Sequence, residues 1–264
     1  MTGDGMTGNG PARFLPLAER LADAAGVIAR RHFRSPLIID TKADKSPVTI
    51  ADREAEAAMR TILAEAVPEH GILGEEHGSE RLDADYVWVL DPIDGTQGFA
   101  TGKPLFGVLV ALTRKGKPVL GVIDHPALGE RWTGAAGAPT LYNGKPAERR
   151  TCEVLSQAWM YATSPHMFDA DTFPRFEALR QGCLRALYGA DCYAYGLLAS
   201  GHVDLVVEAA LKPYDFCALV PVIEGAGGVV TDWDGKPLTI ASTGRVAAAG
   251  DARRHREAIA ILSA

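Results

Sequence analysis

Two carboxylates three positions apart, Asp91 and Asp94 in Asp91-Pro92-Ile93-Asp94-Gly95-Thr96, follow directly on the apolar run Tyr86-Val87-Trp88-Val89-Leu90. A strand that ends in a proline-stiffened turn can converge both carboxylates on a hard divalent cation. Oxygen donors of this kind select Mg2+ or Mn2+, whereas zinc would want His or Cys. Gly95 lets the backbone approach a ligand closely, and the Gly95 and Thr96 amides can hold phosphate oxygens as a helix start or a nest of amides does. Asp, Pro and Gly are also ordinary turn residues. Five fixed identities at fixed spacing, at a usage of about 6% each, nevertheless arise by chance in a chain of this length only roughly once in several thousand.

Two further acidic positions belong to the same argument. Gly74-Glu75-Glu76-His77-Gly78 follows Ile72-Leu73 at another expected strand end, and by itself reads as a solvated loop. Leu211-Lys212-Pro213-Tyr214-Asp215 opens a helix whose apolar residues are Phe216, Leu219, Val220 and Ile223, and Asp215 by itself reads as an N-cap. Their sum is what matters, because a two-metal phosphoryl site needs about four to five anionic ligands, one of them bridging.

The elements that position these groups follow from periodicity. Phe14, Leu15, Ala18, Leu21, Ala25 and Ile28 recur at helical spacing, and Ala55, Ala58, Met59, Ile62, Leu63 and Ala66 form a second helical face that Pro68 stops. Asp52, Glu54 and Glu56 crowd the first turns of that second helix, where the helix dipole favours negative charge. Tyr86–Leu90 reads as a buried strand, and Leu105–Thr113 and Pro118–His125 as a hairpin across Arg114–Lys117. Strands are expected at Trp159–Thr163, Leu184–Tyr188, Val203–Glu208, Gly228–Asp232 and Val246–Ala249. The helices between and after them are expected near Phe173–Arg180, Cys192–Ala199, Phe216–Glu224 and Asp251–Leu262. The whole is a layered α/β chain. Residues 1–11 form a flexible start, 12–150 an N-terminal half carrying most metal ligands, and 151–264 a C-terminal α/β half, the two halves building one integrated domain.

Composition removes several function classes. With 264 residues, 47% hydrophobic and 23% charged, the chain is of ordinary globular type and long enough to bury its own core. Its 27 Lys and Arg against 33 Asp and Glu give a net charge of −6 with no basic block to track a phosphate backbone, so nucleic acid is not an expected partner. No apolar run is long and unbroken enough to span a bilayer. Met1–Pro11 is Gly-rich and polar rather than basic and then apolar, so the expected location is cytoplasmic. Cys152, Cys183, Cys192 and Cys217 lack C-x-x-C spacing and read as reduced core thiols. Ser164-Pro165 has no G-x-S-x-G context and no G-x-x-x-x-G-K-[ST] occurs, which argues against a serine hydrolase and a nucleoside triphosphatase. His125, His166 and His202 have no partners at ligand spacing and read as loop or strand-end histidines.

Gly74-Glu75-Glu76, Asp91-Pro92-Ile93-Asp94-Gly95-Thr96-Gln97-Gly98-Phe99, and Tyr214-Asp215 followed by Glu224-Gly225-Ala226-Gly227-Gly228 together resemble the signatures of the inositol monophosphatase superfamily, Mg2+-dependent and lithium-sensitive phosphomonoesterases. The family more often has Trp where Tyr214 stands. The resemblance implies a five-layer αβαβα sandwich with two to three Mg2+ ions per active site, a small phosphorylated substrate and a homodimer. It implies that Glu75, Asp91 and the Ile93 carbonyl hold one metal and that Asp91, Asp94 and Asp215 hold another, with Glu75 contributing to a third. It further implies that a water is activated by Thr96, itself oriented by Asp52, that Glu75 takes part in catalysis, and that Asp44 lies on a loop closing over the site.

Specificity is expected from groups facing the leaving alcohol, where the resemblance places Asp191 and Glu208. The inositol enzymes usually carry a small residue in place of Asp191, so a second carboxylate suggests a cationic leaving group. Tyr193 and Tyr195 could pack on it. Asp191 as an N-cap of the following helix, with both tyrosines in the core, is the plainer alternative. The stretches Tyr188–Tyr195, Val203–Glu208 and Leu211–Asp215 look most like the histidinol-phosphate phosphatases of this superfamily, so Asp94, Gly95, Thr96, Asp191, Glu208, Asp215 and Asp44 are the expected substrate contacts. The expected activity is Mg2+-dependent hydrolysis of L-histidinol phosphate. An inositol-1-monophosphatase, or a partner of the transcription machinery that keeps the metal pocket, is the alternative.

Overall fold

The computed structural model describes residues 10–36, 39–41 and 47–264. Asp44 and all but the last two residues of the expected flexible start lie outside them. After a 3-10 turn at Pro11–Phe14, helix α1 (Leu15–His32) presents Ala18, Leu21, Ala22, Ala25 and Ala29 as one fully buried stripe. Strands β1 (Ile39–Thr41) and β2 (Pro47–Thr49) pair antiparallel and lead into α2 (Ile50–Ala66). Thr49 and Asp52 close a capping box there: the Thr49 hydroxyl accepts from the Ala51 amide at 3.1 Å, and the Asp52 carboxylate accepts from the Thr49 amide at 2.8 Å.

The first large sheet is built from β3 (Gly71–Gly74), β4 (Ser79–Glu80), β5 (Tyr86–Asp94), β6 (Gly107–Arg114), β7 (Lys117–His125), β8 (Glu130–Ala135), β9 (Leu141–Tyr142) and β10 (Lys145–Pro146), with the short helix α3 (Thr96–Ala100) between β5 and β6. Its order is β10-β9-β8-β7-β6-β5-β3-β4. The strands at its centre are apolar on both faces, as sheets covered on both sides require. Trp88, Leu90, Val108, Val110 and Leu112 pack on α1 and α2, while Val89, Leu109, Ala111 and Ile123 point the other way.

The second half carries β11 (Trp159–Ala162), α4 (Thr172–Gly182), β12 (Arg185–Tyr188), α5 (Tyr193–Ala199), β13 (Leu205–Glu208), α6 (Pro213–Phe216), α7 (Leu219–Gly225), β14 (Val229–Thr231), β15 (Val246–Ala249) and α8 (Ala252–Leu262). Its sheet runs β12-β11-β13-β15-β14. Helices α5, α6 and α7 fill the space between the two sheets, where Tyr195, Leu198, Phe216, Leu219 and Val222 meet Val89, Leu109 and Trp132 from one sheet and Val206, Val230 and Val246 from the other. Helices α4 and α8 cover the far face through Phe176, Leu179, Ala258 and Leu262. The layers are therefore αβαβα, as expected. Sequence periodicity missed the short elements β1, β2, β4, α3, β8, β9 and β10; β8 has Glu130 and Arg131 before a short run cut by Gly134.

A pair of glycines sets how closely the middle helices approach the first sheet. Gly121 and Gly134 face each other across β7 and β8, and a methyl on either would lie 2.0 Å from the Ala218 carbonyl or 2.5 Å from that of Pro221. Backbone occupies the trough these glycines leave. Gly121→Ala is therefore expected to lower stability by about 3 kcal/mol through overpacking, read as a lower urea midpoint, and to weaken divalent-cation binding because α6 must move with α7.

Candidate active site and metal centre

The acidic pocket begins with an irregularity at the end of β5. Asp91 pairs with Leu109 and Asp94 with Gly107, so Pro92 and Ile93 stand against the single residue Val108 and the strand bulges there. The Ile93 amide donates to Asp91 Oδ1 at 3.0 Å and fixes that carboxylate inside the bulge. In an unbulged strand two aspartates three apart would fall on opposite faces; the bulge is what lets both turn to one side. Gly95 then turns the chain in the left-handed region, φ 80°, into α3.

Strand β3 runs parallel to β5 with Gly74 beside Leu90, so its carboxyl end opens on the same edge, and the Glu75 amide donates to the Leu90 carbonyl at 3.2 Å. Glu75 is thereby set next to Asp91, whose carboxyl it contacts. The loop carrying it is held from α2. Glu56, fully buried, accepts from the Glu76 amide at 2.6 Å and the His77 amide at 3.1 Å, with Arg60 Nε on the same carboxylate at 2.8 Å. Glu56 is thus more than a helix-dipole residue. The signal that could have found it is Asp52, Glu56 and Arg60 at four-residue spacing, a line of charges beside the buried face of Ala51, Ala55, Met59 and Leu63.

Asp215 comes from the first turn of α6, behind Pro213, and its Oδ2 accepts from the Lys212 amide at 2.7 Å. The N-cap-like role and the metal-ligand role are therefore compatible: one oxygen closes the turn while the side chain reaches the other aspartates. Asp91, Asp94 and Asp215 each offer an oxygen within 4.8 Å of the others. Burial raises all three carboxyls well above the usual range. For Asp91, neighbouring Glu75, Asp94 and Asp215 add to it, and Asp94 feels Asp191 and Asp215. Asp215 is pushed up to about 7, burial being the largest cause. Clustered carboxylates with no cationic side chain bonded to them among the described residues, all offering oxygen, fit a hard divalent cation.

Thr96 Oγ1 lies 3.4 Å from Asp52 Oδ1 and 3.1 Å from the Ile93 carbonyl, either of which can accept its proton. Asp52 is fully buried, and its other oxygen takes the Thr49 amide and, at 2.6 Å, the Thr49 hydroxyl, so its position is set by the helix cap.

These groups open into a cavity of about 820 Å3. On its far wall stand Asp191 and Glu208. Asp191 has φ 50° and its side chain does not cap α5; a methyl on Gly95 would meet Asp191 Oδ2 at 3.1 Å, so the carboxylate stands over the start of α3. Glu208, at the end of β13, accepts from the Thr163 amide at 2.7 Å and from the Tyr195 hydroxyl at 2.9 Å, and burial raises its carboxyl against these bonds. Of the two tyrosines, Tyr195 lines the cavity through that bond. Tyr193 instead turns away to His125 and Trp132, with ring centroids 4.8 and 6.0 Å apart. His125 is buried at the end of β7, its Nδ1 on the Phe106 carbonyl at 3.0 Å. Among the cavity residues that were not anticipated are Cys192, whose amide donates to Asp94 Oδ2 at 2.8 Å, Lys103, and His166, which the sequence pattern marks only as a loop or strand-end histidine.

The sequence pattern of the inositol monophosphatase family matches residues 11–264. The chain belongs to that family. It is accordingly a phosphatase acting on small phosphorylated substrates, in a family that is generally Mg2+-dependent. Among relatives, the chain is 52% identical over 259 residues to the chloroplastic bifunctional phosphatase IMPL2 of Arabidopsis thaliana, covering 95% of this chain and 75% of that one. It is 34% identical to a histidinol-phosphatase of Chlorobaculum parvum, covering 89% and 91%. A solved inositol monophosphatase from Zymomonas mobilis superposes with a TM-score of 0.89 at 49% identity, over 96% and 98% of the two chains. Among the described residues no helix is long and apolar enough to cross a membrane.

The raised Asp215 carboxyl sets a pH dependence. A folded-state value of about 7 against an ordinary 3.8 means that the cation-free protein takes up a proton on folding, and that this contribution to stability is lost as pH rises from about 4 through about 7. A divalent cation must displace that proton. Thermal unfolding at pH 5 and pH 8 should therefore show a larger Mg2+-induced rise in Tm at pH 8; equal rises at both would contradict it.

Proposed function

We propose that this family member hydrolyses L-histidinol phosphate to L-histidinol and phosphate, the substrate being chosen by the charge of its leaving alcohol. The observation that carries the reading is the Asp191 carboxylate standing over Gly95, at the junction between the phosphate end of the cavity and its outer wall. Histidinol brings an ammonium and an imidazole to that wall, where Asp191 and Glu208 offer negative charge; a neutral polyol brings only hydroxyls. The histidinol-phosphatase name of the Chlorobaculum relative supports the same choice.

In this reading Glu75, Asp91, the Ile93 carbonyl, Asp94 and Asp215 hold Mg2+ ions, which supply Lewis acidity toward the phosphoryl oxygens and acidify water. The chain's own groups do the rest. The Gly95 and Thr96 amides face the phosphoryl oxygens and stabilise the charge that builds on them. Thr96 Oγ1 donates to Asp52 Oδ1 and offers its lone pair to the attacking water, which it orients in line with the bond from phosphorus to the leaving oxygen. Asp52 cannot turn away, because its second oxygen is tied to Thr49. Glu208 is fixed by Thr163 and Tyr195, so it presents charge without reorganising, while Asp191 makes the direct choice of leaving group.

Steady-state assays with Mg2+ should give a kcat/KM for histidinol phosphate at least about tenfold above that for inositol 1-phosphate, and Asp191→Asn should bring the two together. A wild-type preference for inositol 1-phosphate would overturn the substrate. Asp94→Asn and Thr96→Ala should each lower kcat by about 10²-fold or more, the scale on which single electrostatic groups act at other active sites; a Thr96→Ala enzyme of near-normal kcat would remove the water-orienting role.

A further inference from the structure

Lys103 follows α3 on the loop into β6 and lines the cavity that otherwise holds Glu75, Asp94, Asp191, Glu208 and Asp215. Among the described lining residues it is the one Lys or Arg. Its stem lies against Gly98, where a methyl would meet Cβ and Cδ at 3.8 and 3.7 Å, and its ammonium reaches across to Gly189, where a methyl would lie 2.9 Å from Nζ. Gly189 is two residues from Asp191. Lys103 favours the charged form of Asp191, which burial opposes. Among the described residues the ammonium forms no ion pair with Asp191, so it favours the charged carboxylate through space without being locked to it. A compact charge on a flexible four-carbon stem is suited to such a place, where a guanidinium fork would clamp the carboxylate in one geometry.

We propose that Lys103 is the displaceable counter-ion of Asp191 and thereby tunes the selectivity of the site between cationic and neutral leaving groups. The inference rests on the reading that Asp191 receives the cationic end of the substrate. A cationic alcohol takes the place of the ammonium on Asp191, and Lys103 swings toward solvent. A neutral alcohol leaves the Lys103–Asp191 pairing in place. Lys103 therefore competes with the substrate's cation, and the competition should appear in KM rather than in kcat.

The test compares wild type, Lys103→Met and Lys103→Arg, each with Mg2+, using histidinol phosphate and inositol 1-phosphate as esters and inorganic phosphate as a competitive inhibitor. In Lys103→Met the ratio of kcat/KM for the cationic over the neutral ester should rise about fivefold, the upper range for an ion pair of partly exposed groups. The change should fall on KM, with the Ki for phosphate held within about twofold, and Lys103→Arg, which clamps Asp191, should hold the ratio at or below the wild-type value. A ratio unmoved by Lys103→Met overturns the proposal. So does a parallel loss for both esters with a weaker Ki for phosphate, which would make Lys103 a phosphate ligand. Failure of the substrate reading is seen separately, as a wild-type preference for the inositol ester, since the Lys103 claim is read from how the ratio moves on substitution.

Discussion

The constraint on which the structure depends is the gathering of Asp91, Asp94 and Asp215, with Glu75 beside them, at the base of a cavity where Asp91 is buried and the other three are half-buried. Like charges a few ångströms apart in a low-dielectric setting repel strongly, and burial raises the cost of ionising each one. The polypeptide opposes this by enclosing the group from several directions. The bulge amide of Ile93 holds Asp91, the Cys192 amide holds Asp94, and the Lys212 amide holds Asp215. Each bond comes from a different segment, so the cluster exists only when both halves of the chain are folded around it. A carboxylate set that stays protonated or repelled when empty is poised to gain much from a divalent cation.

How much of this was legible beforehand varies with the kind of signal. Asp91, Asp94, Gly95 and Thr96 were readable because their chemistry is compressed into six consecutive residues at a strand end. Glu75 and Asp215 were readable only as parts of a sum, since a carboxylate in a loop or at a helix start has an ordinary explanation. Periodicity in the long elements read only as a layered α/β chain, and the five layers were implied by the family resemblance of the motifs. Strands β8 to β10 were not legible: they are short and owe their form to successive pairing, β8 on β7, β9 on β8 and β10 on β9, rather than to propensity. Glu56 and Lys103 were missed for a different reason. A charged residue on a helix or in a loop is usually solvated, and only the approach of the Glu75 loop to one, and of Gly189 to the other, gives them work.

Small residues explain why charged groups can come so close to backbone. At Gly74 a methyl would lie 2.0 Å from Glu56 Oε1, so only glycine lets the buried carboxylate reach the amides of the following loop. Gly107, opposite Asp94 in the sheet, leaves room for the Cys192 sulfur, 2.4 Å from where its methyl would stand. The sulfur in turn sits 3.7 Å from His125 Nε2, behind the Asp94 contact. Burial and the neighbouring carboxylates raise the Cys192 thiol far above its usual range, so it fills space as a small neutral group and leaves its backbone amide to do the polar work.

The same logic distinguishes the two carboxylates of the outer wall. Glu208 has both oxygens engaged by protein donors, and its backbone lies inside a sheet between Val207 and the strand partner Val246. It can offer charge but cannot move. Asp191 occupies a left-handed backbone conformation, φ 50°, which costs a non-glycine residue of the order of 1 kcal/mol and is tolerated best by Asp and Asn. That conformation does not serve a helix cap, because α5 begins without one. What it does achieve is to turn the carboxylate back over Gly95, against the start of α3, where no regular continuation of β12 into α5 would carry it. A strained residue aimed at the phosphate end and a relaxed one fixed at a distance divide the wall into a part that selects and a part that supports, so selectivity should be far more sensitive to position 191 than to position 208.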